Sequence, residues 1–377
     1  MKNYDLRRKM ALKQLERAKI AFADEEERDI VQELPSRARD SLEVQETSLN
    51  GRNGRAEGFL GWEEFFENNE RYTLSERNFE FNTYFTLPKS CQDASIPVFI
   101  FHHGAGSSGL TFANLSKQLV EKLEGKCAVF SFDARGHGRT RPIDLSKEVT
   151  YDLEAFIYDF VTLVNLFYER HLKKLVVQKL SIIFVGHSLG ASICTFAYAH
   201  RTAEIRERSL GVCMLDIVEE AAIQALQKVH SFLISTPNVF NNYNEAVDWH
   251  VQHGLSRCRE SAQVAIPALF TATKTQKVVR ITNLNDFRPY WHTWFKNLSH
   301  SFVALPTNKL LLLAGNDNLD KELIIGQMQG KYQLVVFQDS GHFIQEDVPR
   351  KTAITLIDFW KRNDSKSTVI KTNWGEN

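Results

Sequence analysis

Five consecutive residues, Gly186-His187-Ser188-Leu189-Gly190, constrain this chain more than any other feature of its 377 residues. A bare G-x-S-x-G pattern is common by chance. Here it follows the unbroken apolar run at 181–185 (SIIFV) and precedes residues 191–200 (ASICTFAYAH), which read as a helix. A serine between a buried strand and a helix sits in a sharp turn, with its hydroxyl exposed and the positive end of the helix dipole behind it. The flanking glycines leave room for neighbouring backbone. The competing duty for Ser188 is to cap the helix; the strand–turn–helix context favours a nucleophile.

The rest of the chain repeats the same alternation. Strand-like apolar runs occur at 79–87, 97–102, 127–132, 181–185, 211–217, 309–314 and 332–337. Phe112, Leu115, Leu119 and Leu123 recur at helical spacing, as do Leu153, Phe156, Ile157, Phe160, Val164 and Phe167. Residues 352–360 read as a closing helix. Continuous apolar strands separated by helices predict a mostly parallel central sheet with helices on both faces, the α/β-hydrolase arrangement. Residues 218–308 break the rhythm. They read as helical and aromatic-rich, with Trp249, Tyr290, Trp291 and Trp294, and are expected to form a helical cap over the carboxyl edge of the sheet. The expected organisation is a polar, flexible tail at 1–58, a hydrolase domain at 59–362 carrying that cap, and a C-terminal tail at 363–377.

Two further motifs stand where catalysis at Ser188 requires them. Phe101-His102-His103-Gly104-Ala105-Gly106 follows a strand and resembles the glycine-rich loop that supplies one oxyanion-hole amide. The expected donors are the backbone N–H groups of Ala105 and Leu189. Ser340-Gly341-His342 follows the last strand, where the general base of this chain order belongs. His102, His103, His137 and His187 are expected in supporting roles. The acid is open on position. Asp317 follows the penultimate strand, the commonest place; Asp216 ends the strand after the nucleophile helix; Asp320 lies nearby. Position favours Asp317. Asp133-Ala134-Arg135-Gly136-His137-Gly138 is a turn in which Asp133 and Arg135 are expected to organise loops.

Composition narrows the partners. Lys plus Arg and Asp plus Glu both number 46, so no global field selects nucleic acid or an acidic membrane. No apolar stretch approaches the ~18 residues of a membrane span. There is no metal-ligand spacing, no phosphate-binding glycine loop and no dinucleotide fingerprint, so no metal or cofactor is expected. The five cysteines are scattered, which suits a reducing compartment, cytoplasmic or nuclear. A mitochondrial address stays open, because the first 22 residues are basic.

The chain resembles the protein phosphatase methylesterases. The resemblance runs from Trp62 to Trp360 and rests on His103-Gly104-Ala105-Gly106, the Ser188 motif, Met214-Leu215-Asp216-Ile217-Val218-Glu219, Ala246-Val247-Asp248-Trp249, and residues 312–331 (LLAGNDNLDKELIIGQMQGK). The asparagine-rich loop at 240–244 and the N-terminal tail resemble a fungal version. Ala191 stands where the family has a further glycine. The resemblance implies removal of the methyl ester from the carboxy-terminal leucine of the protein phosphatase 2A catalytic subunit, and so that subunit as partner. It also implies a pocket closed until the partner docks, and disturbance of the phosphatase's metals by binding. It places the acid in the M-L-D-I-V-E segment, giving Ser188, Asp216 and His342 as the catalytic set. Two other readings remain: a small-molecule carboxylesterase or lipase of the same fold, and a non-catalytic phosphatase-binding protein on a hydrolase scaffold.

Overall fold

The computed structural model describes residues 59–364, apart from 92, 176, 178, 227–235, 276 and 316–318. The two expected tails lie outside the described residues, except that Asn363 and Asp364 are described and Asn363 ends a helix.

Among the described residues one nine-stranded sheet dominates. Its strands are β1 (Asn68–Leu74), β2 (Phe79–Thr86), β3 (Ile96–His102), β4 (Ala128–Phe132), the two-residue β5 (Arg141–Pro142), β6 (Leu180–His187), β7 (Ser209–Leu215), β11 (Asn308–Ala314) and β12 (Gln333–Phe337). The strand order is β1-β2-β4-β3-β6-β7-β11-β12, with β5 on the edge of β2. From β4 to β12 every pairing is parallel, whereas β1, β2 and β5 join antiparallel. This is the α/β-hydrolase architecture expected from the sequence.

The inner strands are apolar at nearly every position because both of their faces are covered. Alternate residues enter different cores. Val98 and Ile100 of β3, Ile182 and Phe184 of β6, Val212 and Met214 of β7, and Leu311 and Leu313 of β11 pack on one face. On that face lie α2 (Leu153–Phe167) and α3 (Leu189–Ala197). Phe99, Phe101, Ile183, Val185, Cys213, Leu215, Leu310 and Leu312 point the other way, onto α1 (Ala113–Lys122) and the closing helix Pro349–Asn363. Each fully buried Phe or Leu contributes roughly 1.5–3 kcal/mol by leaving water. β1 was not foreseen. Its sequence, NNERYTL, is mostly polar because it is an edge strand, with only Tyr72 and Leu74 buried.

The segment between β7 and β11 forms the cap. It contains α4 (Tyr243–Gln252) and α5 (Arg259–Ala265), and also a three-stranded antiparallel sheet, β8 (Val239–Phe240), β10 (Val278–Arg280) and β9 (Phe270–Ala272). These strands are two or three residues long, too short to show a period in sequence. The cap has its own small core around Phe240, Val247, Ile266 and Phe270. No helix among the described residues is long and apolar enough to cross a membrane.

Candidate active site

The sheet register brings the motifs together. His102 of β3 pairs with Gly186 of β6, and His187 of β6 with Leu215 of β7. The ladder continues past the strand ends: Ser188 N–H donates to Leu215 O at 3.1 Å, and Asp216 N–H to Leu312 O at 2.8 Å. Loops from three neighbouring strands therefore leave the same edge at the same height.

Ser188 is held at φ 51° and ψ −118°, a left-handed conformation that costs a non-glycine residue on the order of 1–3 kcal/mol. The glycines on either side are steric necessities. A Cβ on Gly186 would lie 2.2 Å from the carbonyl oxygen of Gly190, and one on Gly190 would lie 2.0 Å from that of His102. The elbow thus closes against itself and against β3, which drives the serine outward. Leu189 begins α3, so its N–H has no partner within the helix. Across from it, a Cβ on Gly104 would sit 3.0 Å from Ser188 Cβ, which puts the Gly104-Ala105-Gly106 loop against Ser188. The amides of Ala105 and Leu189 donate to no protein acceptor among the described residues.

Buried histidines brace that loop. Gly106 N–H donates to His137 Nε2 at 2.9 Å, and Ala134 N–H to His103 Nε2 at 2.9 Å. Accepting at Nε2 requires both rings to be neutral with the proton on Nδ1, which donates to Arg135 O in one case and Gly104 O in the other. Burial pushes His103 and His137 down, and His102 to about 3. Asp133 holds the adjacent turns, accepting from Gly109 N–H, Asn82 Nδ2 and Arg139 N–H. Arg135 forms a buried two-pronged pair with Asp159 and donates to Thr150 O. All of this is scaffolding.

His342 Nδ1 lies 2.8 Å from Asp216 Oδ2. A carboxylate only accepts, so Nδ1 carries the proton and Nε2 is left with a lone pair. Asp216 is itself fixed, at φ 50°, with Oδ1 accepting from Ala314 N–H at 2.7 Å. It is buried, while the His342 side chain is 49% exposed. The structure thus joins His342 to Asp216. Asp317 lies outside the described residues. Asp320 is the N-cap of the helix Lys321–Met328 and also accepts from Ser299. The Ser188 hydroxyl has no hydrogen-bond partner among the described residues.

Three groups support His342: His187, expected in a supporting role, and Asp347 and Glu346, which were not foreseen. His187 Nε2–H donates to the His342 carbonyl at 2.9 Å; burial holds His187 well below the usual histidine range. Asp347 accepts from Gly341 N–H and from Arg257 N–H of the cap, each at 2.7 Å. Glu346, fully buried and pushed up to about 8 by that burial, takes the hydroxyls of Thr111 and Ser256. Its backbone carbonyl accepts from Ser261 at 2.7 Å. Two consecutive acids four and five residues after His342 were visible in sequence; that one would be buried and tied to the cap was not. Among the described residues no group of three or more His, Cys, Asp or Glu is placed to hold a metal.

The chain is similar to known proteins in both sequence and fold. A family profile for the alpha/beta hydrolase fold matches residues 97–349. The protein named protein phosphatase methylesterase 1 in Saccharomyces cerevisiae is 56% identical across 99% of this chain and 98% of its own length. The protein of the same name in Candida glabrata is 63% identical over 83% of this chain and 81% of its own. Among solved structures, E-2-(acetamidomethylene)succinate hydrolase superposes with a TM-score of 0.59 at 16% identity, over 78% of this chain and 98% of its own. A peroxisomal alpha-beta-hydrolase of Saccharomyces cerevisiae superposes with a TM-score of 0.58 at 12% identity, over 82% and 91%. At such identities the structural likeness speaks for the fold alone.

Proposed function

The chain belongs to the protein phosphatase methylesterase family of alpha/beta hydrolases, and from that premise we propose that it hydrolyses the methyl ester on the carboxy-terminal leucine of the protein phosphatase 2A catalytic subunit, with Ser188, His342 and Asp216 as its catalytic residues. The observation that carries the residue assignment is the 2.8 Å hydrogen bond from His342 Nδ1 to the buried Asp216, one strand away from a serine in a strained elbow.

The chemistry follows from that geometry. Ser188 Oγ attacks the ester carbonyl while His342 Nε2 takes its proton. Asp216 stabilises the imidazolium so formed and holds the ring in the tautomer that leaves Nε2 free. The carbonyl oxygen becomes negative and is received by the amides of Ala105 and Leu189, each worth roughly 3–4 kcal/mol when preorganised in this way. The tetrahedral centre collapses, His342 returns the proton to the departing methoxide, and methanol leaves. Water, deprotonated by the same nitrogen, then attacks the acyl–serine ester; collapse releases the leucine carboxylate and restores Ser188. The serine–histidine contact closes when the ester is bound, as is common in sites whose catalytic hydrogen bonds tighten on the substrate. A reducing compartment, cytosol or nucleus, suits the reading; the five cysteines carry free thiols.

The test is methanol release from carboxymethylated phosphatase 2A catalytic subunit by wild type, Ser188→Ala and Asp216→Asn. Rapid release by wild type that disappears in both variants supports substrate, nucleophile and acid together. Turnover of simple esters without release from the phosphatase would overturn the substrate and leave a small-molecule esterase. A fully active Asp216→Asn enzyme would return the acid to Asp317.

A further inference from the structure

The cap is stapled to the loop that carries His342, and the staple positions one cation. Glu346 and Asp347 follow His342 closely in sequence. Glu346 binds Ser256 and Ser261 of the cap, and Asp347 binds the backbone N–H of Arg257 between them. The second oxygen of Asp347 takes Gly341 N–H. Arg257 is therefore anchored by its backbone to Asp347, whose other oxygen holds Gly341, the residue before His342. Its side chain lies across Gly341: a Cβ there would be 2.9 Å from Arg257 Nε and 3.2 Å from Cζ. The absence of a side chain at Gly341 is what admits the guanidinium.

This guanidinium is exposed and forms no ion pair or side-chain hydrogen bond among the described residues. The contrast with its neighbour is direct, since Arg259, two residues on, pairs with Asp248 at 2.5 Å. Asp347 is the nearby anion that acts on Arg257 electrostatically, but it makes no ion pair with the guanidinium among the described residues, and its two oxygens accept from backbone N–H groups. A planar, permanently charged fork is thus held at the rim of the site, next to a base that is half exposed.

The geometry points to Arg257 as a specificity-determining residue that receives a carboxylate side chain of the substrate polypeptide, within the few residues that precede the esterified carboxyl terminus. The inference rests on the reading of the protein as a protein methylesterase. The reacting group offers this cation nothing in the ground state, because a methyl ester is uncharged. The polypeptide behind it must leave the pocket over the rim, and a guanidinium fork matches a carboxylate there in shape and charge.

The test uses the full-length chain and matched synthetic peptides ending in leucine methyl ester, one set with Asp or Glu in the preceding residues and one with Asn or Gln. Wild type is expected to favour the acidic peptides by about tenfold in kcat/KM, the effect of one partly exposed charge-assisted pair. That ratio should shrink as salt is raised. It should drop to about one in Arg257→Gln, survive in part in Arg257→Lys, and turn toward Lys-bearing peptides in Arg257→Glu. Each ratio is taken within one enzyme, so a loss of folded protein does not mimic the result. Wild type without an acidic preference, or a preference that persists in Arg257→Gln, overturns the inference while leaving the methylesterase reading intact. Failure of wild type to cleave any peptide ester while it still releases methanol from the carboxymethylated phosphatase overturns this inference alone; no release from the phosphatase either, while Ser188 still reacts with a fluorophosphonate, overturns the methylesterase reading and this inference with it.

Discussion

The ring of His187 lies 4.6 Å from the ring of His342, and its Nε2–H holds the His342 carbonyl at 2.9 Å. The residue before Ser188 therefore fixes the backbone of His342. Ser188 and His342 follow strands far apart in sequence, and this bond ties their loops directly. Replacing His187 by Phe keeps the ring and removes the donor. The expected loss is about tenfold in kcat, the worth of one neutral hydrogen bond, with the protein still folded. Steady-state kinetics on a methyl ester, paired with a thermal melt, checks this; unchanged kcat would show that His342 is held by Asp216 and Asp347 alone.

Asp216 supplies both orientation and charge. Asn at this position can offer its N–H₂ to Nδ1, which would drive the ring proton to Nε2, the atom that must accept. The expected fall in kcat is about 10⁴-fold with little change in stability. Single-turnover acylation followed by mass spectrometry of Ser188 measures it.

Glu346 makes folding stability depend on pH. Its ordinary value is near 4.5, and burial raises it to about 8 in the fold. Between those values the folded chain holds a proton that the unfolded chain has released. Stability therefore falls as pH rises from about 4.5 to 8, and levels off above. Glu346→Gln keeps a neutral hydrogen-bonding side chain and removes the titration. Urea unfolding at pH 5, 7 and 9 should show wild type losing stability against the variant, by on the order of a few kcal/mol at the alkaline end. Parallel profiles for the two proteins would contradict this.

Gly190 has no room for a side chain. A Cβ would approach the His102 carbonyl carbon to 2.6 Å as well as its oxygen to 2.0 Å, and both are backbone atoms that cannot rotate away. Gly190→Ala is expected to cost about 1–3 kcal/mol or more and to displace Ser188. A lower melting temperature together with weakened fluorophosphonate labelling is the expected result.

Much of this was legible in sequence because it depends on short-range pattern. The inner strands announce themselves as unbroken apolar runs, since burial on both faces forbids alternation. The elbow is legible because its glycines answer to contacts within a few residues and to the adjacent strand. β1 and the cap sheet were not legible: an edge strand needs few apolar residues, and strands of two or three residues carry no period. The Asp216–His342 pairing lies between these cases. Position in sequence offered three acids, and family resemblance chose among them. The fold supplies the physical ground, because the β7–β11 register sets Asp216 beside Ala314 and turns its carboxylate toward His342.

What the chain's sequence determined by itself is the architecture and the kind of chemistry, since apolar periodicity and glycine placement are local properties of the polypeptide. Tertiary structure alone decided how Asp216 meets His342, how His187 and Asp347 hold that residue, and where Arg257 stands. Those relationships join residues up to 155 positions apart, as His187 and His342 are. Distances of that kind are set by strand order and register, which no window along the chain contains.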